Sequence, residues 1–540
     1  MSGAHVGAPD LHSPLLLLLL LAASLLHPAA GQDDGDFVTG AIHTIFSTDC
    51  KRFFAFQTLA LAHSFAKAGQ PGNLTRIASC TRQQLSLMRR EDRDMVQTHI
   101  APSWEKHPTK PDDYPPYNKP TGVMDWLDKA NPREEWILMV DPDMLFRAPL
   151  TPETLGVADG WSAGAHYSYL NGVINDLALR HVRHVAPRND TYGGPRGRRA
   201  DRVGHYCLVR NADLRRMAPF WLKFTEDVRF DPDAWNLTGD SYVEPGDRPW
   251  ISEMYGYAYA AAHVGVWHKL NPGVQAYPSY AVWDSIKVIH YGLTHRVGGY
   301  GFDKHDHYYF NSFRCPPWNM SMERDIKEDY GLFPHPPHPS ELAPKDNPQD
   351  QYGALLVVEF VNTINEGLCE RHKKVCPASE QLKEECGTVE EIQKALAAEF
   401  AVLDAPDSVC VDALEIEKCL MYLRDGLCEK EWLQMGMSCR KTCGRCFGAS
   451  MRSPPGQTVV ANVQAKEPDT FSTEGNVGKS EDATLGNISI SEKDEGNVNQ
   501  DISAVKHAAD NEHSSPSAVA EERISNTERE RARCRKLVGV

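Results

Sequence analysis

At 540 residues the chain is long enough for more than one domain and for a large core. Its apolar content of 41% is low for a wholly globular protein, and a formal charge of -16 argues against nucleic-acid binding, which needs a basic surface. The 14 cysteines point to an oxidising compartment, provided a targeting signal agrees.

Such a signal comes first in chain order. Leu15 to Leu26 is a leucine-rich apolar core, followed by the small residues Ala29-Ala30-Gly31, so residues 1–31 are expected to be a signal peptide. The apolar core is short for a bilayer span. No Lys or Arg precedes it, which leaves an uncleaved anchor as the alternative and as the only expected membrane contact. Asn-x-Ser/Thr acceptors at Asn73, Asn189, Asn236, Asn319 and Asn487 fit the same route. The expected location is the lumen of the endoplasmic reticulum or Golgi, with secretion as the other outcome.

A first domain is expected over residues 37–330. Val38 to Phe46 reads as a strand and Ser47-Thr48-Asp49 as the turn leaving it. Phe53 to Ala68 reads as a helix capped by Gly69 and stopped by Pro71. Leu74 to Ser79 and Val96 to Ile100 are short strands, and Pro120 introduces a helix over Thr121 to Ala130. Trp136 to Val140 is a continuous apolar run of the right length for a buried strand, ending abruptly in Asp141-Pro142-Asp143. The alternation predicts an α/β fold with a Rossmann-like nucleotide half. No Gly-x-Gly-x-x-Gly follows the first strand, so a metal-held diphosphate fits better than a dinucleotide.

Two carboxylates where a buried strand opens into a loop suit Mg²⁺ or Mn²⁺, which take few protein ligands and complete their shell with water and phosphate. The same spacing occurs at Asp34-Gly-Asp36, Asp92-Arg-Asp94 and Asp231-Pro-Asp233, where it reads as a polar turn. Only the Asp141 pair follows a buried strand.

Beyond Pro149 the chain is irregular and carries Trp161, Tyr167 and Tyr169, aromatics of the kind on which proline rings pack. Arg188 to Arg202 reads as a solvated Gly- and Arg-rich insertion. Val203 to Val209 reads as a strand and Asp213 to Arg229 as a helix. Trp250-Ile-Ser-Glu-Met-Tyr-Gly-Tyr257 opens another helix. Its Glu253 is either a satisfied core carboxylate or a group that orients a sugar or an acceptor hydroxyl. Ser285 to His290 is a strand ending in His290-Tyr-Gly. A lone histidine is usually structural, but at a strand end it could be a third metal ligand.

Several of these segments resemble the plant and green-algal peptidyl serine α-galactosyltransferases: His43-Thr-Ile with Thr48-Asp-Cys50, Tyr117-Asn-Lys-Pro120, Asp141-Pro-Asp143, Trp250-Ile-Ser-Glu-Met-Tyr-Gly256 and His290-Tyr-Gly-Leu293. The hydroxyproline O-arabinosyltransferases are more distant relatives. The resemblance covers about residues 37 to 330. It implies a GT-A-like glycosyltransferase domain, a UDP-sugar donor, a divalent metal and retention of anomeric configuration. In these terms Asp143 and His290 are the expected metal ligands, Mn²⁺ the expected ion, and Asp141 the bridge between ribose and metal. Thr44, Thr48 and Lys119 are the further candidates for holding UDP-galactose, with a plain surface lysine as the alternative for Lys119. Glu253 and Asp141 are the candidate catalytic carboxylates. The expected acceptor is a serine in a hydroxyproline- or proline-rich polypeptide. The family's Asp-x-Val-Gly-Gly is Asp201-Arg-Val-Gly-His205 here, preceded by the Arg-rich insertion, a departure that bears on what the resemblance implies for the acceptor side.

Pro334-His-Pro-Pro-His-Pro339 and the polar run to Gln351 read as a stiff linker, and Gln351 to Leu403 as helical, so residues 331–409 are expected to separate the first domain from a cysteine-rich segment. Six cysteines fall within residues 410–446, a density at which disulfides substitute for a core. Cys439-Arg-Lys-Thr-Cys-Gly-Arg-Cys446 resembles the ShKT domain. That resemblance implies pairs Cys410–Cys446, Cys419–Cys439 and Cys428–Cys443; a zinc site from Cys443 and Cys446 is the alternative. Leu433-Gln434 replaces the Lys-Tyr of channel-blocking relatives, so a targeting or interaction role is expected. Residues 447–540 are Ser-, Glu-, Asp- and Asn-rich and read as disordered. Two function classes remain: a luminal glycosyltransferase, transferring galactose to serine or arabinose to hydroxyproline, and a secreted binding protein whose α/β domain is a dead enzyme.

Overall fold

The computed structural model describes residues 37–403, apart from short breaks at 158–159, 191, 272, 279–285 and 346–347, together with residues 416–424, 439 and 442. The signal peptide, most of the cysteine-rich segment and the C-terminal tail expected from the sequence lie outside the described residues.

A seven-stranded sheet organises the first half in the order β3-β2-β1-β4-β7-β6-β8. Strands β1 (Val38–Asp49), β2 (Asn73–Cys80), β3 (Gln97–Pro102) and β4 (Glu134–Val140) are mutually parallel where they pair. A short strand β5 (Met144–Phe146) follows β4 directly. Strand β7 (Val203–Arg210) is antiparallel to both β4 and β6 (Trp161–His166), and β8 (Trp267–Leu270) is parallel to β6. The strand order reverses between β1 and β4, which is where an open α/β sheet forms a ligand crevice at its carboxyl edge.

Strand β1 runs through the three residues expected as its turn. Ser47, Thr48 and Asp49 pair with Ile77, Ala78 and Ser79 of β2, so the ladder overrides their turn preference. Helix α1 (Phe53–Lys67) follows, then α2 (Asn118–Ala130) between β3 and β4. Helices α3 (Asn211–Arg229) and α4 (Ser252–His263) pack against one another. A Cβ at Gly256 would lie 2.7 Å from the Trp221 carbonyl oxygen, so only glycine permits this approach.

A second sheet, β5-β10-β9, is built from β5, β9 (Gln275–Ala276) and β10 (Val288–His290). The hairpin β11 (His295–Val297) and β12 (Tyr300–Phe302) follows it. Around these lies a second hydrophobic core that joins Phe53, Phe56, Ile289, Tyr291, Phe302 and Phe333 to Leu355, Phe360, Ile364 and Leu396. The last four belong to two long helices, α5 (Pro348–Val375) and α6 (Glu380–Leu403).

The Pro-rich stretch expected as a stiff linker is packed against the fold, with Pro334, Pro336 and Pro339 buried. Leu332 and Phe333 are fully buried, and the Tyr300 hydroxyl donates to the Pro334 carbonyl at 2.9 Å. Asn365 of α5 holds the Phe333 backbone from both sides, accepting from its N–H at 2.9 Å and donating to its carbonyl at 3.0 Å. Proline rings are apolar and lack a backbone donor, so such a run suits a groove between helices as well as solvent.

The Arg-rich insertion is likewise not solvated throughout. Arg198 is 3% exposed, donates to both Asp190 oxygens at 2.8 Å and to Asp201, and lies over the Trp267 ring. A buried guanidinium needs this many acceptors.

Disulfides join Cys50 to Cys80, Cys315 to Cys376, Cys369 to Cys386 and Cys419 to Cys439. The first ties the ends of β1 and β2 together beside the crevice. Cys419–Cys439 is one of the three pairs that the ShKT resemblance implies; Cys410–Cys446 and Cys428–Cys443 lie outside the described residues.

Candidate metal and donor site

Asp141 and Asp143 stand just past the carboxyl end of β4. Two pairings bring His290 to them across the chain. Strand β5 starts at Met144, and His290 of β10 pairs antiparallel with that residue. The Tyr291 N–H then donates to the Asp143 carbonyl at 3.0 Å. One ligand atom from each of Asp141, Asp143 and His290 lies within 4.8 Å of the others, a group that could hold a metal ion. Asp143 is 4% exposed and His290 8%.

The chemistry of this set suits a hard or borderline divalent ion: two carboxylates and one imidazole, with the remaining positions left to phosphate and water. The space suits it too. A Cβ at Gly292 would sit 3.0 Å from both Asp143 Oδ2 and His290 Nε2, so glycine keeps that face open.

Lys304 also reaches the site. Its ammonium donates to Asp143 Oδ2, while His290 Nε2 faces Asp143 Oδ1 at 3.3 Å. Burial pushes the Asp143 carboxyl up, but the facing Lys304 ammonium and the contact with His290 outweigh it and hold the group well below the usual carboxylate range. A second charged cluster adjoins the first. Lys119 Nζ lies 2.8 Å from Asp141 Oδ1 and 3.7 Å from Glu253 Oε2. Burial opposes the Lys119 charge, but Asp141 and Glu253 outweigh it and raise the ammonium above its ordinary range.

Glu253 sits at the start of α4 with its side chain 4% exposed. Trp221 Nε1 donates to its Oε1 at 3.1 Å, and its backbone N–H donates to the Tyr114 hydroxyl at 3.0 Å. Both carboxylate oxygens are therefore engaged, one by Trp221 and one by Lys119. The structure thus places Glu253 between Trp221 and Lys119, beside Asp141.

The threonines separate. Thr48 lies near the carboxyl end of β1, level with the crevice, and its buried hydroxyl has no hydrogen-bond partner among the described residues. Thr44 is fully buried opposite Leu138 in mid-strand. Four residues of strand, about 13 Å, separate the two, so the structure does not bring Thr44 to the crevice.

The aromatics separate as well. Tyr167 and Tyr169 stack at 5.4 Å beyond the end of β6, and the Tyr167 hydroxyl meets that of Tyr277 at 3.5 Å, beside His290. Trp161 starts the same strand at its opposite end and packs against Arg188. One platform made of all three is ruled out by the length of β6.

Two of the other Asp-x-Asp spacings are taken up in ion pairs, and Asp34-Gly-Asp36 lies outside the described residues. Asp92 pairs with Arg76 at 2.8 Å, and Asp231 pairs with Arg180 and His181 at 2.9 Å each. Sequence reasoning missed Lys304 and Gln275, which lie beside Asp143 and His290. Neither belongs to a motif.

Residues 42–270 match the hydroxyproline O-arabinosyltransferase family N-terminal domain. The chain is 40% identical over 449 residues to a peptidyl serine alpha-galactosyltransferase of Chlamydomonas reinhardtii, an alignment covering 81% of this chain and 59% of the relative. It is 37% identical over 370 residues to one of Arabidopsis thaliana, covering 67% of this chain and 42% of that protein. It thus spans roughly half the length of the curated relatives it matches. Among solved structures, the galactosyltransferase LgtC in complex with donor and acceptor sugar analogs aligns at 13% identity and a TM-score of 0.27, over 46% of this chain and 86% of that one, a likeness too slight to transfer detail. No helix among the described residues is long and apolar enough to cross a membrane. Over most of its length the chain is therefore similar to peptidyl serine alpha-galactosyltransferases, and its residues 42–270 match the hydroxyproline O-arabinosyltransferase family N-terminal domain.

Proposed function

We propose that this chain is a metal-dependent glycosyltransferase of the secretory pathway. It moves α-galactose from UDP-galactose onto a serine hydroxyl of a proline- or hydroxyproline-rich polypeptide, with retention. The observation that carries this reading is the convergence of Asp141, Asp143 and His290 at the carboxyl edge of β4, in a chain so similar to peptidyl serine alpha-galactosyltransferases. Four disulfides in the described residues fit a luminal setting.

In this reading Asp143 and His290 would hold the metal, and Asp141 would serve both the metal and the donor's ribose. A bound Mn²⁺ would offset the negative charge that builds on the departing diphosphate. Thr48 offers its unpartnered hydroxyl to the nucleotide. Lys304, whose ammonium donates to Asp143, would stand beside the diphosphate and could offset part of its charge. Glu253, with both oxygens engaged, holds Lys119 against Asp141 rather than attacking the sugar. That favours attack from the face of the leaving group. The serine oxygen bonds to the anomeric carbon, the bond from that carbon to the β-phosphate oxygen breaks, and the serine proton passes to the departing phosphate. A polyproline II acceptor costs little ordering entropy and presents its serine predictably.

The arabinosyl reading is kept alive by the family matched over residues 42–270. The deciding assay offers a Ser-Hyp-rich peptide and its Ser→Ala version with UDP-galactose and UDP-arabinose in turn, with Mn²⁺ and then with EDTA. Galactose transfer that needs both serine and metal is the expected result. Arabinose transfer undiminished by Ser→Ala would place the chain with the arabinosyl relatives, and no transfer of any sugar would favour the binding-protein reading.

Residues 410–446 are proposed to form a separate three-disulfide ShKT unit that turnover does not need. Peptide mapping should find Cys410–Cys446 and Cys428–Cys443 beside Cys419–Cys439; free thiols or bound zinc in the segment would contradict this.

A further inference from the structure

A neutral histidine offers a metal only the ring nitrogen that lacks a proton. At His290 the nitrogen facing Asp143 is Nε2. For Nε2 to be bare, the ring proton must sit on Nδ1, and an acceptor must stand beside Nδ1 to keep it there.

The group in that place is the side-chain amide of Gln275, 8% exposed and 3.4 Å from Nδ1. It is there because β9 and β10 run parallel, with Gln275 paired to Val288. The same end of the amide lies 3.4 Å from the Tyr167 hydroxyl. With the amide nitrogen turned this way, Nδ1 must accept, the ring proton moves to Nε2, and Nε2 donates to Asp143. That is a sound metal-free arrangement and a blocked metal site.

The opposite end of the amide, Oε1, is buried without a partner among the described residues. Turning the amide over therefore breaks no bond that Oε1 makes. Amide oxygen and nitrogen are nearly alike in shape, and only their hydrogen bonds distinguish them. Turned over, Oε1 accepts from both His290 Nδ1–H and the Tyr167 O–H, and Nε2 is left bare beside Asp143. The Tyr277 ring, 4.8 Å from that of His290, holds the imidazole plane in either state.

We propose that Gln275 is a positioning residue for the metal: its amide oxygen holds the Nδ1 proton of His290 and so presents Nε2 for ligation. This rests on the metal site of the proposed function.

The test measures Mn²⁺ affinity of the full chain by electron paramagnetic resonance of the free ion, with melting curves of each metal-free variant as a control. Gln275→Met keeps the size and loses the acceptor, and should weaken Mn²⁺ binding about 10- to 100-fold. Gln275→Glu keeps an acceptor and should bind within about threefold of the parent or more tightly, a rescue by the rule that an acceptor behind the imidazole raises its basicity. A merely structural role predicts the reverse order, since Met is the gentler change in a buried site and Glu the harsher. Binding unchanged in Gln275→Met, or lost in Gln275→Glu but kept in Gln275→Met, overturns the proposal. If the variants fail to fold, ¹⁵N shifts of His290 in the unaltered protein with Mg²⁺ decide: a proton on Nδ1 supports the proposal, and one on Nε2 overturns it. Should the unaltered protein show no Mn²⁺ binding that Asp143→Ala removes, the metal site itself is wrong and the role of Gln275 falls with it.

Discussion

Asp143→Ala is expected to lower transfer by about a thousandfold and to abolish Mn²⁺-dependent UDP binding, an effect on the order of 4 kcal/mol in transition-state stabilisation. Asp143 is one of the two buried ligands and touches both His290 and Lys304. The alanine variant alone is ambiguous, because it also leaves the Lys304 ammonium without that carboxylate. Breaking a buried pair on one side costs roughly 3–5 kcal/mol. Asp143→Ala combined with Lys304→Met removes both charges and should recover much of the melting temperature while staying inactive. Calorimetric Mn²⁺ and UDP binding, turnover and thermal melts on the three proteins separate the two effects. A folded Asp143→Ala enzyme that turns over like the parent would refute the mechanism.

Ending the chain at Lys345 should abolish folding, whereas ending it at Leu403 should not. Helix α5 buries Leu355, Leu356, Val357, Val358, Phe360, Val361, Ile364 and Leu368 completely. At about 1.5–3 kcal/mol each, even half of them match a typical total stability of 5–15 kcal/mol. The loss is also electrostatic. Arg147, which follows β5, donates to Glu359 at 3.0 Å and to the Tyr352 hydroxyl at 2.8 Å, and both partners come from α5. Circular dichroism and melting of the two truncations check this, with Phe360→Ala, expected to cost about 3–5 kcal/mol, as the milder version. A cooperative melt and turnover from a chain ending at Lys345 would show that the second core is dispensable.

The sequence by itself determined what depends on neighbours along the chain. A run of apolar residues, Trp136 to Val140, has to be a buried strand, and an Asp-Pro-Asp placed directly after it has to stand at the strand's carboxyl end. Helices α1, α2 and α3 were legible from spacing and capping residues to within three residues at each end. The α/β class followed from their alternation with strands. Misreadings arose where long-range pairing outweighs local preference. The ladder with β2 carries β1 through Ser47-Thr48-Asp49, and a groove beside α5 receives a proline run that looks like a linker. The same limit applies to the site. Asp141, Asp143, His290 and Lys119 could be nominated one at a time, but the residues that accompany Asp143 and His290 could not. Lys304 stands 161 residues from Asp143, and Gln275 meets His290 from a separate strand. Such contacts are fixed by strand order, by register and by which side chains a crowded interior leaves room for. Only the tertiary structure decides those, because a hydrogen bond or an ion pair depends on distance in space and leaves no period in the chain.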